Sequence, residues 1–73
     1  MENRELILKK LGERIRIVRM ERGLSQAMLG ARIFKDQQSI HKVEIGKFNP
    51  TYIYLLELSQ GLEISLDELI KDL

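Results

Sequence analysis

The chain has no cysteine and no tryptophan, a single proline and a single histidine among its 73 residues. Without cysteine there is no disulfide framework, no thiol nucleophile and no thiolate-ligated zinc. Apolar runs such as Leu6-Ile7-Leu8 stay far short of the roughly 20 residues that span a bilayer, so no membrane role is expected. The opening Met1-Glu2-Asn3-Arg4-Glu5 has neither a basic n-region nor an apolar h-region; no secretory signal is expected and the chain reads as cytoplasmic. There is no glycine-rich phosphate loop and no Ser/His/Asp set, which leaves an enzyme, a cofactor or a small-molecule ligand without support. The length suits one small domain, residues 1–73, with no room for a separate sensor or catalytic domain. At 44% hydrophobic and 32% charged, the composition is that of a folded chain and not of a disordered tail.

Net charge is also small, at +1, but it is unevenly spread. Residues 1–50 hold 11 Lys/Arg against 6 Asp/Glu, whereas residues 51–73 hold one Lys against five acids. A molecule with one basic and one acidic end can present the former to a polyanion and keep the latter away from it.

What the sequence does carry is helical periodicity. Leu8, Leu11, Ile15 and Val18 recur at three- and four-residue steps, with Asn3 as a capping residue and Gly23 as a stop. Ser25 predicts a second N-cap, followed by a short helix with Met28, Leu29 and Ile33 as its apolar positions. Asp36 opens a third helix over Gln37–Ile45 that Gly46 ends. Pro50-Thr51 marks a break, and a fourth helix is expected from about Tyr52 to about Gly61. Ser65-Leu66-Asp67-Glu68 is a capping-box pattern opening a fifth, with Leu66, Leu69, Ile70 and Leu73 on one side. No alternating strand pattern of useful length competes. The expected fold class is all-α, five short helices in one compact domain.

The second and third helices, joined by about three residues, make a helix-turn-helix, in which the later helix can lie in the major groove of DNA. Ile40 and Val43 share one face of it and are expected to pack inward. Gln37, Gln38, His41 and Lys42 occupy the opposite face and are candidate base contacts. A glutamine amide can pair with adenine N6 and N7, and a lysine can donate to guanine O6 and N7. His41 and Glu44 also have metal-ligand spacing, but no further ligands stand near them in sequence, so no metal is expected.

The segment Ser25-Gln26…Leu29…Gln37-Gln38-Ser39-Ile40…Glu44-Ile45-Gly46-Lys47…Asn49-Pro50, closing with Ile64-Ser65-Leu66-Asp67-Glu68-Leu69, resembles the Cro/repressor-type, or XRE, helix-turn-helix family. The likeness runs without a gap from about Leu11 to Leu69. It implies a lambda-repressor-like fold and a sequence-specific regulator that binds double-stranded DNA as a homodimer. It further implies that Gln37 and Gln38 read bases, with Lys42 reaching a base or a phosphate. Ser25, Gln26, Ser39, Lys47 and Asn49 become phosphate contacts, and Arg19 with Glu44 an ion pair that is structural. Three places depart from the pattern. Phe34 stands where the turn usually has glycine and Lys35 where it has a small apolar residue, Asp36 replaces the common Ser or Thr, and Glu63 stands where a glycine often closes the fourth helix. Small stand-alone members of the family include restriction–modification controllers and phage or mobile-element repressors, and the early first helix and short end of this chain resemble the controllers.

Ile53 and Tyr54 fall at positions that are commonly polar in the family. With Leu66, Ile70 and Leu73 they are candidates for a dimer interface. They also support a different reading, an interaction module such as an antitoxin or adaptor that uses the last two helices.

Overall fold

In the computed structural model, which describes residues 3–73, five helices follow one another: α1 Arg4–Glu21, α2 Gln26–Ile33, α3 Gln37–Glu44, α4 Tyr52–Gly61 and α5 Leu66–Leu69. Met1 and Glu2, part of the segment read for a secretory signal, lie outside the described residues. No strand occurs among the described residues. Each helix begins on a side-chain acceptor. Asn3, Ser25, Asp36, Thr51 and Ser65 accept from the backbone N–H of Leu6, Met28, Ser39, Tyr54 and Glu68 at 2.8–3.1 Å. A cap of this kind satisfies an amide that the first turn leaves without a partner, and its loss typically costs about 1 kcal/mol.

Four helices also end alike. The backbone N–H of Leu24, Lys35, Lys47 and Ile64 reaches back over the last turn to the carbonyl of Arg19, Gly30, Lys42 and Ser59. This closure needs a left-handed residue just before the donor. Gly23 and Gly46 supply it with φ of 70° and 76°, while Phe34 and Glu63 adopt it without being glycine, at 59° and 58°. The departures at Phe34 and Glu63 therefore do not change the turns; side-chain-bearing residues are forced into the glycine conformation. Helix α4 ends at Gly61 as expected, two residues before Glu63 takes the left-handed position.

One core joins all five elements: Ile15 and Val18 from α1, Leu29 and Ile33 from α2, Ile40 and Val43 from α3, Tyr54 and Leu58 from α4, Leu69 from α5, with Leu24 and Leu62 from the connections. Two expectations need correction. Met28 is 52% exposed, because α2 turns Leu29, Gly30 and Ile33 inward and leaves Met28 about 100° off that face. The stripe on α5 does not hold together either. The helix is a single turn that buries Leu69 and half-buries Leu66, and Ile70 and Leu73 lie beyond it, exposed.

Helix α3 is positioned by contact with α1 at Gly12. A Cβ there would stand 2.4 Å from the carbonyl oxygens of both Val43 and Glu44. Such a crossing admits only glycine. Gly30 does the same for the turn, where a Cβ would come within 2.4 Å of the Lys35 carbonyl oxygen.

Candidate nucleic-acid interface

The inner face of α3 is closed: Ile40 and Val43 are 0% and 1% exposed. On the outer face Gln37, Gln38, His41 and Lys42 are all exposed, so the four candidate base contacts lie side by side as the helical period requires. Lys47 and Asn49 are exposed in the connection that follows. The Asp36 carboxylate that caps α3 accepts the Ser39 N–H at 2.8 Å.

Behind this face runs a chain of hydrogen bonds. Glu44, 6% exposed, accepts two bonds from the Arg19 guanidinium, at 2.6 and 3.0 Å, and Arg19 also donates to the Leu24 carbonyl at 2.7 Å. The bond to Glu44, seconded by its charge, raises the Arg19 pKa, while burial pulls the other way. The pair anticipated from the resemblance is thus formed, bidentate and almost dry. Gln26 extends the chain. Its amide donates to Glu44 Oε1 at 3.1 Å and lies 3.4 Å from His41 Nδ1, and its oxygen accepts from Gln37 at 3.4 Å. Three residues of the readout region, on two helices, are tied to one buried carboxylate.

The remaining candidates are placed differently. Ser25 has its hydroxyl committed to the α2 cap. Ser39 is half-buried with its hydroxyl 2.5 Å from that of Tyr54. Tyr54, considered for a partner surface, is only 6% exposed. Its ring faces into the core, meets Phe48 at 5.9 Å and lies under the Lys35 ammonium at 5.0 Å. The correction has a simple cause: on α4 Tyr54 shares the face of Leu58, four residues on, whereas Ile53 points 100° away and is 63% exposed.

Sequence reasoning missed the arginines that fasten the C-terminal half. Arg14 donates to the carbonyls of Leu69 and Glu68, Arg22 to those of Leu62 and Glu63, and Arg32 to that of Gly61. All are carbonyls at or just beyond helix ends, where the helix has no partner of its own to offer. Arg14 and Arg22 of α1 are in this way structural. The tie between Gln26 and Gln37 was also missed. An eleven-residue separation gives no signal within one helix.

A short helix with an apolar back, a polar hydrogen-bonding front and a preceding helix packed across it defines a DNA-binding helix-turn-helix regulator. The chain belongs to the helix-turn-helix family, whose model matches residues 15–69. It is 40% identical over 62 residues to an uncharacterized HTH-type transcriptional regulator, y4dJ, of Sinorhizobium fredii, covering 85% of this chain and 80% of that one. Its fold matches the restriction–modification controller protein C.AhdI from Aeromonas hydrophila with a TM-score of 0.90, at 32% identity over 94% of this chain and 100% of that one. It also matches the P22 c2 repressor, solved with a synthetic operator, at a TM-score of 0.75 and 36% identity, over 84% of this chain and 92% of that one. Among the described residues no helix is long and apolar enough to cross a membrane.

Proposed function

We propose that the chain, one helix-turn-helix domain over residues 1–73, works in the cytoplasm as a homodimer on a two-fold-symmetric DNA operator. Each protomer inserts α3 into the major groove. The observation that carries the reading is the outer face of α3, where four exposed side chains able to address base edges stand on a buried apolar back. Gln37 and Gln38, at the N-terminal end of α3 that enters the groove first, read bases. His41 and Lys42 extend the contact. Gln26 and Ser25, at the start of α2, with Lys47 and Asn49, hold phosphates, Ser25 through its amide since its hydroxyl is engaged; Ser39, with its amide on Asp36 and its hydroxyl on Tyr54, has neither group to offer. Exposed Ile53, Ile70 and Leu73, with the half-buried Leu66, form the surface for the second copy. A molecule of 35 × 23 × 21 Å is small enough for two copies side by side to hold their recognition helices about 34 Å apart.

The test is selection of bound sequences from a random duplex pool at two salt concentrations. An enriched palindrome is expected, with affinity falling by a log–log slope of about −0.9 for each phosphate neutralised. Substituting Gln37 and Gln38 together by alanine should abolish the enrichment while the fold persists. The exposed Tyr52 and Ile53, at 65% and 63%, favour a second reading, an interaction module acting through α4. Under it the same double substitution leaves partner binding intact and no palindrome is enriched.

A further inference from the structure

Resting on that reading and sharpening it, we propose that Phe48 is a specificity residue whose ring reads the 5-methyl group of a thymine next to the bases met by Gln38 and Lys42. The outer face of α3 consists of two rows. Gln37 and His41 border Gln26 of α2 through the contacts described above. Gln38 and Lys42 border Phe48, and with Asp36 and Ser39 the three line a hollow of about 250 Å³. The readout surface is therefore flanked on one side by an amide and on the other by an aromatic ring.

Phe48 is 42% exposed and held in place, its ring tilted at 55° against that of the buried Tyr54, which is bonded in turn to Ser39 of α3. The ring thus moves with the recognition helix. It stands between Lys47 and Asn49, two exposed residues proposed to hold phosphates. The major groove offers one apolar group to such a ring, the C5-methyl of thymine. The walls carry one charge of each sign, the Asp36 carboxylate and the Lys42 ammonium, so charge does not select a phosphate and the exposed ring decides the occupant. A base-pair edge suits the two groups that border the opening: the Gln38 amide takes adenine N6 and N7 while the ring covers the methyl of a thymine in the same or the adjoining pair. The contact works by burial alone, since the ring has no polar group.

The experiment uses the unmodified full chain and the selected operator, with each thymine of a half-site replaced in turn by deoxyuridine, which removes only the methyl. One position per half-site is expected to weaken binding by about fourfold, the worth of one buried methyl group. Phe48→Ala is expected to bind the thymine operator more weakly and to lose the deoxyuridine penalty. In the complex with the unmodified chain, a nuclear Overhauser contact between the Phe48 ring protons and that methyl is expected, which requires no variant to fold. Equal affinity across the deoxyuridine panel, a penalty that persists in Phe48→Ala, or no ring–methyl contact overturns the proposal while leaving the operator reading intact. If no operator is enriched at all, both fall together.

Discussion

Phe34 holds a φ of 59° with 95% of its side chain in solvent, so it bears the strain of the left-handed region and recovers almost nothing by burial. A side chain there costs roughly 1–2 kcal/mol, and replacing it by glycine returns roughly 0.4–1 kcal/mol of that to the freer unfolded chain. Phe34→Gly should then stabilise the fold by about 0.5–1 kcal/mol, and thermal unfolding followed by circular dichroism should show a rise of a few degrees. A fall in the midpoint would mean that the ring packs on something in solution. Glu63 at 58° offers the same gain, since its ion pair with Arg32, 3.7 Å long and largely exposed, contributes little. The opposite holds for Arg19. Its removal strands the buried Glu44 carboxylate, which typically costs about 3–5 kcal/mol, a large part of the roughly 4–11 kcal/mol expected for a chain of this size. Arg19→Ala should unfold near ambient temperature in a urea titration, and Arg19→Lys should recover only part of the loss because the two-pronged geometry goes. The Arg19 pKa is raised on folding, so while Glu44 is a carboxylate the contribution of the arginine is full below the ordinary arginine range and is lost only as pH rises above it. A melting midpoint that dropped between pH 7 and pH 9 would have to be traced to another group.

At the scale of elements, the α1–α3 crossing is the most restrictive contact. Gly12→Ala gains about 1 kcal/mol of helix propensity, but it drives a methyl to 2.4 Å from two carbonyl oxygens, and overpacking of this kind typically costs about 1–3 kcal/mol. Net destabilisation is expected in chemical denaturation, together with weaker operator binding even at temperatures where the chain is folded, because α3 must shift to make room. The helix starts were legible in the sequence because Asn3, Ser25, Asp36, Thr51 and Ser65 act on amides three residues away, a rule confined to one turn. So was the outer face of α3, which follows from its period. The left-handed ends at Phe34 and Glu63 were legible only as departures, since nothing local says that the turn will keep its glycine shape without glycine. The arginine fastenings were not legible at all. Arg14 meets Leu69 across 55 residues, and only the packed fold brings them together. The same is true of Tyr54, whose burial depends on which face of the nearly all-apolar α4 meets α2. Arg14→Met tests the fastening: α5 amides should exchange faster while those of α1 do not, with about 1–2 kcal/mol lost overall from two bonds to carbonyls.

Across the whole molecule, the division of charge sets two salt dependences of opposite sign. The proposed DNA contacts lie within residues 1–50, which carry an excess of 5 positive charges, and the proposed dimer surface within residues 51–73, which carry an excess of 4 negative ones. Operator binding displaces counterions and must weaken as salt rises. The proposed dimerisation would bring two acidic segments together, and salt would screen their repulsion. The molecule is 21–23 Å across its short dimensions. At about 0.01 M salt the screening length of about 30 Å exceeds that width, and at about 0.15 M, near 8 Å, it falls well inside it. Sedimentation equilibrium of the free protein should therefore give a tighter dimer at the higher salt, while titration of the operator gives weaker binding. Lys47→Ala should lower the operator slope by about 1 for each protomer and leave dimerisation unchanged. A dimer that instead loosens with salt would point to acidic and basic ends in contact, a head-to-tail arrangement without the two-fold axis that a palindromic operator requires.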